Sequence, residues 1–160
     1  MVQIKKHSGI YTLTVMQQLP IKLSEAWDFF SSPENLEKIT PNHMGFEITS
    51  GETGRMYAGQ IISYRVAPIP GIKTNWVTEI THVDEEKFFV DEQRFGPYSM
   101  WHHEHHFDEN KNGVLMTDKV TYKIPFGFLG AIAQALFVRK QLKGIFEYRV
   151  KVLELMFGKG

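Results

Sequence analysis

The run Phe95-Gly96-Pro97-Tyr98-Ser99-Met100-Trp101-His102-His103-Glu104-His105-His106-Phe107 decides how this chain is read. Four of the seven histidines fall within it, beside a tryptophan and directly after a Gly-Pro turn. Side chains along a strand alternate between faces. Read as a strand, the run puts Ser99, Trp101, His103, His105 and Phe107 on one face, and Met100, His102, Glu104 and His106 on the other. The first face is aromatic, with imidazoles set among the rings, as a wall that grips something part apolar and part polar would be. The second is the wetter face.

Working outward, strand-like runs lie on both sides. Phe88 to Phe95 precedes the Gly96-Pro97 turn, and Val114 to Ile124 follows the turn residues Glu109 to Gly113. Further upstream, Phe46 to Thr49, Met56 to Val66 and Lys73 to Val83 read as strands between turn signals. Connections this short join antiparallel neighbours. Before them, Tyr11 to Leu19 alternates as a strand, Ser24 caps a short helix through Phe30, and Ser32-Pro33-Glu34 opens a second through Ile39. After Pro125 and Gly127, one long helix runs from Phe128 to about Phe157, its apolar stripe including Leu129, Ile132, Leu136, Leu142, Ile145, Phe146, Leu153 and Met156. A curved antiparallel sheet of about seven strands wrapped around that helix satisfies this order, as an α+β fold with two short helices after the first strand. Such a helix seldom fills the concave sheet, so an internal cavity is expected.

Composition narrows the function classes. The 160 residues suit one domain with a sizeable core. Eighteen basic residues balance eighteen acidic ones, so no global field favours nucleic acid or an anionic membrane. With no cysteine, disulfides, thiolate catalysis, zinc fingers and iron–sulfur clusters are excluded, and a reducing, cytoplasmic setting is expected. Met1 to Gly9 lacks the apolar segment of a signal peptide, and no run is long and apolar enough to span a bilayer. A monomer or weak homodimer without stable membrane insertion is expected. Gly51-x-x-Gly54 lacks the Lys-Ser/Thr of a phosphate loop, and no dinucleotide or Gly-x-Ser-x-Gly motif occurs.

The order of elements resembles the helix-grip fold of the START/Bet v 1-like (SRPBCC) superfamily. Leu19-Pro20-Ile21, Ala26-Trp27-Asp28-Phe29-Phe30, Ser32-Pro33-Glu34-Asn35-Leu36, Val77-Thr78-Glu79-Ile80 and Val90-Asp91-Glu92-Gln93 are similar to its bacterial ligand-binding, cyclase/dehydrase-like branch. Gly96-Pro97-Tyr98, Trp101-His102-His103-Glu104-His105 and Val138-Arg139-Lys140-Gln141-Leu142 add to the likeness, which spans Tyr11 to Arg149. It implies a ligand cavity between sheet and helix. It does not imply one function, because the superfamily holds lipid carriers, hormone receptors, polyketide cyclases and chaperone activators.

Pairing Tyr98–Phe107 with Val114–Ile124 sets Asp118 opposite His103, Met116 opposite His105 and Val120 opposite Trp101. Asp118 would then orient His103 and raise its pKa, giving a His–Asp pair suited to general acid/base work. The plainer reading is two strand residues that satisfy each other, and a third is hydrogen bonding to a ligand. Metal binding by His103-x-His105 lacks a further histidine downstream of His106, so no metal and no cofactor is expected. Folding Phe88–Phe95 back through Gly96-Pro97 sets Glu92 beside Trp101 and Arg94 beside Ser99, inside the cavity. The opposite phase turns Asp91 and Gln93 inward instead, and long charged side chains usually reach solvent. Tyr122 shares the parity of Asp118 and Val120, Trp76 reads as core, and Arg139 either reaches the cavity or snorkels out. The apolar loop Ala67 to Ile72 is a gate or an ordinary packed turn.

The expected function is binding of a hydrophobic or aromatic small molecule, or a lipid. The expected ligand-binding residues are Trp101, His103, His105, Phe107, Asp118, Val120, Tyr122, Glu92 and Arg94. The alternatives are a cyclase/dehydratase-like enzyme with His103 and Asp118 as its catalytic candidates, or a co-chaperone-like interaction module. Of these, the non-catalytic binder is favoured over an enzyme.

Overall fold

The computed structural model describes residues 2–50, 54–69 and 72–160, with backbone alone at 68 and 69. The turn at Gly51 and the Pro70-Gly71 part of the apolar loop lie outside the described residues. Eight strands form one antiparallel sheet in the order β1-β2-β8-β7-β6-β5-β4-β3. They are β1 (Gln3–His7), β2 (Ile10–Leu19), β3 (Glu47–Ser50), β4 (Ile61–Ile69), β5 (Ile72–Asp84), β6 (Phe88–Phe95), β7 (Met100–Asn110) and β8 (Gly113–Lys123). Two short helices, α1 (Leu23–Phe30) and α2 (Asn35–Lys38), follow β2. The chain ends in α3 (Gly127–Ala133), a π-helical turn (Gln134–Val138) and α4 (Arg139–Phe157), with right-handed helical dihedrals at both junctions. This is the helix-grip α+β fold.

The sheet has one strand more than the sequence suggests. Gln-Ile-Lys-Lys-His is too polar to read as a strand, because β1 lies at the sheet edge where every residue but Ile4 is exposed. It folds onto β2 through Ser8 and Gly9, both at positive φ, the geometry a tight hairpin requires. Ser24 does not cap α1: the helix begins at Leu23, with Lys22 at its cap and no side-chain bond there. β4 starts at Ile61, later than the expected Met56.

Core clusters hold the helices on the sheet. Trp27 meets Phe89 and Phe107 edge to face, joining α1 to β6 and β7. Leu13, Val15, Val120 and Tyr122 pack with Leu142 and Phe146 of α4. A polar tie crosses the same interface, where the Gln17 amide donates to the Val150 carbonyl at 3.0 Å. The expected apolar stripe is buried only in part. Leu142, Phe146 and Leu153 face the core, whereas Leu129, Ile132 and Leu136 before α4, and Met156 at its last turn, are exposed.

Register is where the structure departs most from expectation. β7 pairs β8 with His103 opposite Val120, His105 opposite Asp118 and Trp101 opposite Tyr122. The connection is the two-residue turn Lys111-Asn112, tightened by the Asn112 amide donating to the Asn110 side chain at 2.8 Å. The pairing is displaced by an even step, so faces are kept. β6 pairs β7 with Asp91 opposite His103 and Glu92 opposite His102. That is an odd step from the expected pairing, and an odd step exchanges the faces. Its cause is Gln93. The Gln93 side chain donates to the Tyr98 carbonyl at 2.6 Å and accepts from the Tyr98 amide at 3.1 Å, replacing a backbone partner across the turn. A Cβ on Gly96 would lie 2.5 Å from the Gln93 amide oxygen, so a side chain there would push the bridging amide aside.

Candidate functional site

Between β4–β7 on one side and α2 and α4 on the other lies a cavity of about 160 Å³. Its walls are rings. Tyr64 stacks on Trp76 at 5.9 Å, Trp76 meets Trp101 edge-on at 5.3 Å, and Tyr98 tilts against Trp101 at 4.8 Å. Thr78 supplies the hydroxyl that accepts the Trp76 indole N–H and bonds the Tyr64 phenol, both at 3.1 Å, so these polar atoms are satisfied within the wall. Burial raises the pKa of both Tyr64 and Tyr98, which keeps the phenols neutral.

One end of the cavity is charged. His103 and His105 tilt against each other with ring centroids 3.7 Å apart. Asp91 on β6 and Asp118 on β8 flank them. His103 Nε2 donates to Asp118 Oδ1 at 3.0 Å, and His105 Nε2 donates to Asp91 Oδ2 at 2.9 Å. His103 Nδ1 lies 3.4 Å from Asp91 Oδ2, and His105 Nδ1 lies 2.9 Å from Asp118 Oδ1, the latter off the line of a hydrogen bond. Four imidazole nitrogens thus face carboxylate oxygens, while two neutral imidazoles carry only two N–H groups. The arrangement calls for at least one imidazolium.

The two histidines divide that role. For His105, burial opposes the charge, but the two carboxylates, Asp118 at close range and Asp91 bonded to it, outweigh burial and raise the pKa. For His103, burial and the neighbouring His105 charge outweigh both carboxylates and lower it. Burial alone would raise the pKa of Asp118, but the bond from His103 and the close His105 ring bring it well below the ordinary carboxylate range. Asp91 is lowered too, as the histidine charges and the His105 bond overcome its desolvation. Arg149 of α4 completes the cluster. Its Nη1 lies 3.8 Å from Asp118 Oδ2, its guanidinium stacks on Phe146 at 4.8 Å, and its buried Nε has no hydrogen-bond partner. With His103 neutral, two carboxylates face one imidazolium and one guanidinium, so the cluster carries no net charge.

Of the residues expected to bind ligand, Trp101, His103 and His105 line the cavity. Asp118 stands behind the two histidines. Phe107 belongs to the core with Trp27 and Phe30. Val120 and Tyr122 lie on the correct face but under α4, and the Tyr122 hydroxyl accepts from the Gln134 amide at 2.7 Å. Glu92 and Arg94 are on the opposite face, a correction that follows from the Gln93-bridged turn. There they continue a ladder of opposite charges, in which Arg94 joins Glu79 to Glu92, Glu92 bonds His102, and Glu104 bonds His106 and Lys119. Arg139 is exposed. The sequence reading missed Arg149 and did not commit to Asp91. The signal for Arg149 was its place in the apolar stripe, three residues after Phe146 and four before Leu153.

Asp91, His103 and His105 also bring three donor atoms within 4.8 Å of one another, a set that could take a divalent ion. The Arg149 guanidinium beside Asp118 opposes a second cation there.

A sheet gripping a helix over an aromatic cavity with a charged end defines a cavity-bearing helix-grip domain. The chain belongs to the polyketide cyclase / dehydrase and lipid transport family, whose model matches residues 19–153. A protein from Mycobacterium smegmatis superposes with a TM-score of 0.68 at 16% identity, over 98% of this chain and 99% of that one. One from Arthrobacter aurescens gives 0.70 at 12% identity, over 96% and 91%. Ginseng major latex-like protein 151 gives 0.65 at 14%, over 94% and 99%. At such identities the likeness is one of fold. No curated protein matches the sequence. Among the described residues, no helix is long and apolar enough to cross a membrane.

Proposed function

We propose that this protein binds a compact, ring-bearing hydrophobic molecule with one oxygen function, in the cavity between the sheet and α4. The observation that carries this reading is an aromatic chamber that ends in the buried polar groups of His103, His105 and Arg149. The volume matches a cavity that admits a benzene-sized guest, on the order of 150 Å³. Family membership, with lipid transport in its description, supports a hydrophobic ligand.

Native mass spectrometry of freshly purified, untagged protein tests it. A non-metal adduct lost in Trp101→Ala and weakened in Arg149→Met is the expected result. An adduct of metal mass lost in His103→Ala would replace this reading with the metal one. Apo protein that binds no ring-bearing compound in a screen would refute it.

A second reading rests on His103, held neutral at the cavity wall and bonded to Asp118. That group could take a proton from a substrate in a dry pocket, the step a cyclase or dehydratase needs. His103→Gln separates the two. A carrier keeps its affinity within several-fold, whereas an enzyme still binds but loses turnover. A protein indifferent to every cavity substitution would instead be an interaction module.

A further inference from the structure

The last helix leaves the sheet inside out. Across α3 and the π turn, the side against the sheet carries Gly130 and Gln134. A Cβ on Gly130 would lie 2.1 Å from the Pro125 carbonyl, and Gln134 is 3% exposed with its amide bound to Tyr122. The side toward solvent carries Phe128 (75% exposed), Leu129, Ile132, Leu136 and Phe137 (68%). The wider π turn brings Phe137 round toward the face of Ile132 and Leu136. Phe126, just before the helix, is 81% exposed and held at φ 70, a conformation unfavourable for a bulky side chain. A helix packed in the ordinary way puts its large apolar residues against the sheet and its glutamine outside. Single exposed apolar residues are normal, but a contiguous patch of six marks a contact surface.

The charges around the patch say what it contacts. Between Asp118 and Glu147 there is no acidic residue, while Lys119, Lys123, Arg139, Lys140 and Lys143 are basic. Lys119 pairs with Glu104 and Lys143 with Glu147. Lys123, Arg139 and Lys140 are exposed and have no ion pair among the described residues. The whole chain has zero net charge, so this excess is local. An exposed apolar helix face rimmed by unpaired cations has the make-up of an interfacial helix on anionic lipid. A symmetric dimer through the same patch would set these cations near their own copies.

We propose that residues 126–140 dock this protein on the surface of an anionic phospholipid bilayer. The phenylalanines and leucines enter the headgroup–acyl boundary, and Lys123, Arg139 and Lys140 lie against lipid phosphates. Just beyond, Gln141, Leu142 and Ile145 line the cavity, so docking brings one cavity wall to the bilayer. The docking does not depend on the ligand reading and can stand if that one fails.

Vesicle flotation tests it, with phosphatidylcholine alone and with phosphatidylcholine mixed with phosphatidylglycerol. The protein should float with the mixed vesicles and bind pure phosphatidylcholine at least roughly ten-fold more weakly. Phe128→Asp with Leu136→Asp should lower binding on the order of a hundred-fold while melting like the parent, because both positions are exposed. Arg139→Glu with Lys140→Glu should abolish the preference for the anionic lipid and leave the fold intact. The proposal is overturned if the parent fails to float with mixed vesicles, or if both double variants float as well as it does. It is also overturned if the parent is a dimer that the aspartate variant splits, since a second copy then covers the patch.

Discussion

Asp118 holds the site together at the scale of single residues. It accepts from His103, approaches His105 and lies beside Arg149, all of them buried. Asp118→Asn leaves two buried cations with one carboxylate between them, and should cost about 3–5 kcal/mol in urea unfolding. The same change should lower the pKa of His105, read by NMR titration of its ring protons. The pH dependence follows from the shifts. Asp91 and Asp118, held below their unfolded values, stabilise above about pH 4, and that stability is lost as pH falls through their folded values. His103, also lowered, stabilises above about pH 6.5 and loses this on acidification. His105, raised, stabilises below about pH 6.5 and loses this as pH rises through its folded value. Unfolding midpoints should therefore fall steadily on the acid side, with a shallower fall in Asp118→Asn. Alternation alone made His103 and His105 legible as wall residues. The stripe position marked Arg149 but left its burial illegible, because a charged residue there usually snorkels to water, and only tertiary contacts show that this one does not.

Most elements were legible where turn chemistry was local and the strand carried an apolar face, which β1 does not. The neighbours from β3 to β8 followed from short connections, and the long helix from its spacing, whereas the pairing of β2 with β8 did not. Register was not, since it depended on a side chain that imitates backbone. Gln93→Leu removes both bonds to Tyr98 and should cost about 1–3 kcal/mol. Amide exchange at Tyr98 should accelerate even where global stability is retained, and an unchanged rate would mean that water substitutes for the glutamine. The π turn was equally hidden. Nothing in Gln134 to Val138 breaks helical spacing, and the turn is tied to the sheet by the Gln134 bond to Tyr122.

For the whole molecule, the cavity sets the ligand's size. A ligand at a hundred times its Kd stabilises by about 2.7 kcal/mol. One- and two-ring compounds bearing a carboxyl or hydroxyl should therefore raise Tm clearly, and long acyl chains should not, because about 160 Å³ holds too little of them. Equal shifts from both would mean that the walls yield. That a cavity lies under the helix was legible from the order of elements; its volume depends on packing among Tyr64, Trp76, Trp101 and Phe146, which no pattern encodes.

The overlooked first strand has a consequence for how the protein behaves when crowded. An open sheet ends in two rows of bare amides and carbonyls that can recruit other chains. At one end stands β3, four residues long and bulged against β4. At the other stands β1, with exposed Lys5 and Lys6. Beneath β1 lies β2, ten residues long, with Tyr11, Leu13 and Val15 buried. Removing residues 2–9 would leave β2 as the new rim, and light scattering should then rise with protein concentration while the full chain stays clear. The short lysine-bearing strand works as a selvage, finishing a fabric that would otherwise keep adding threads.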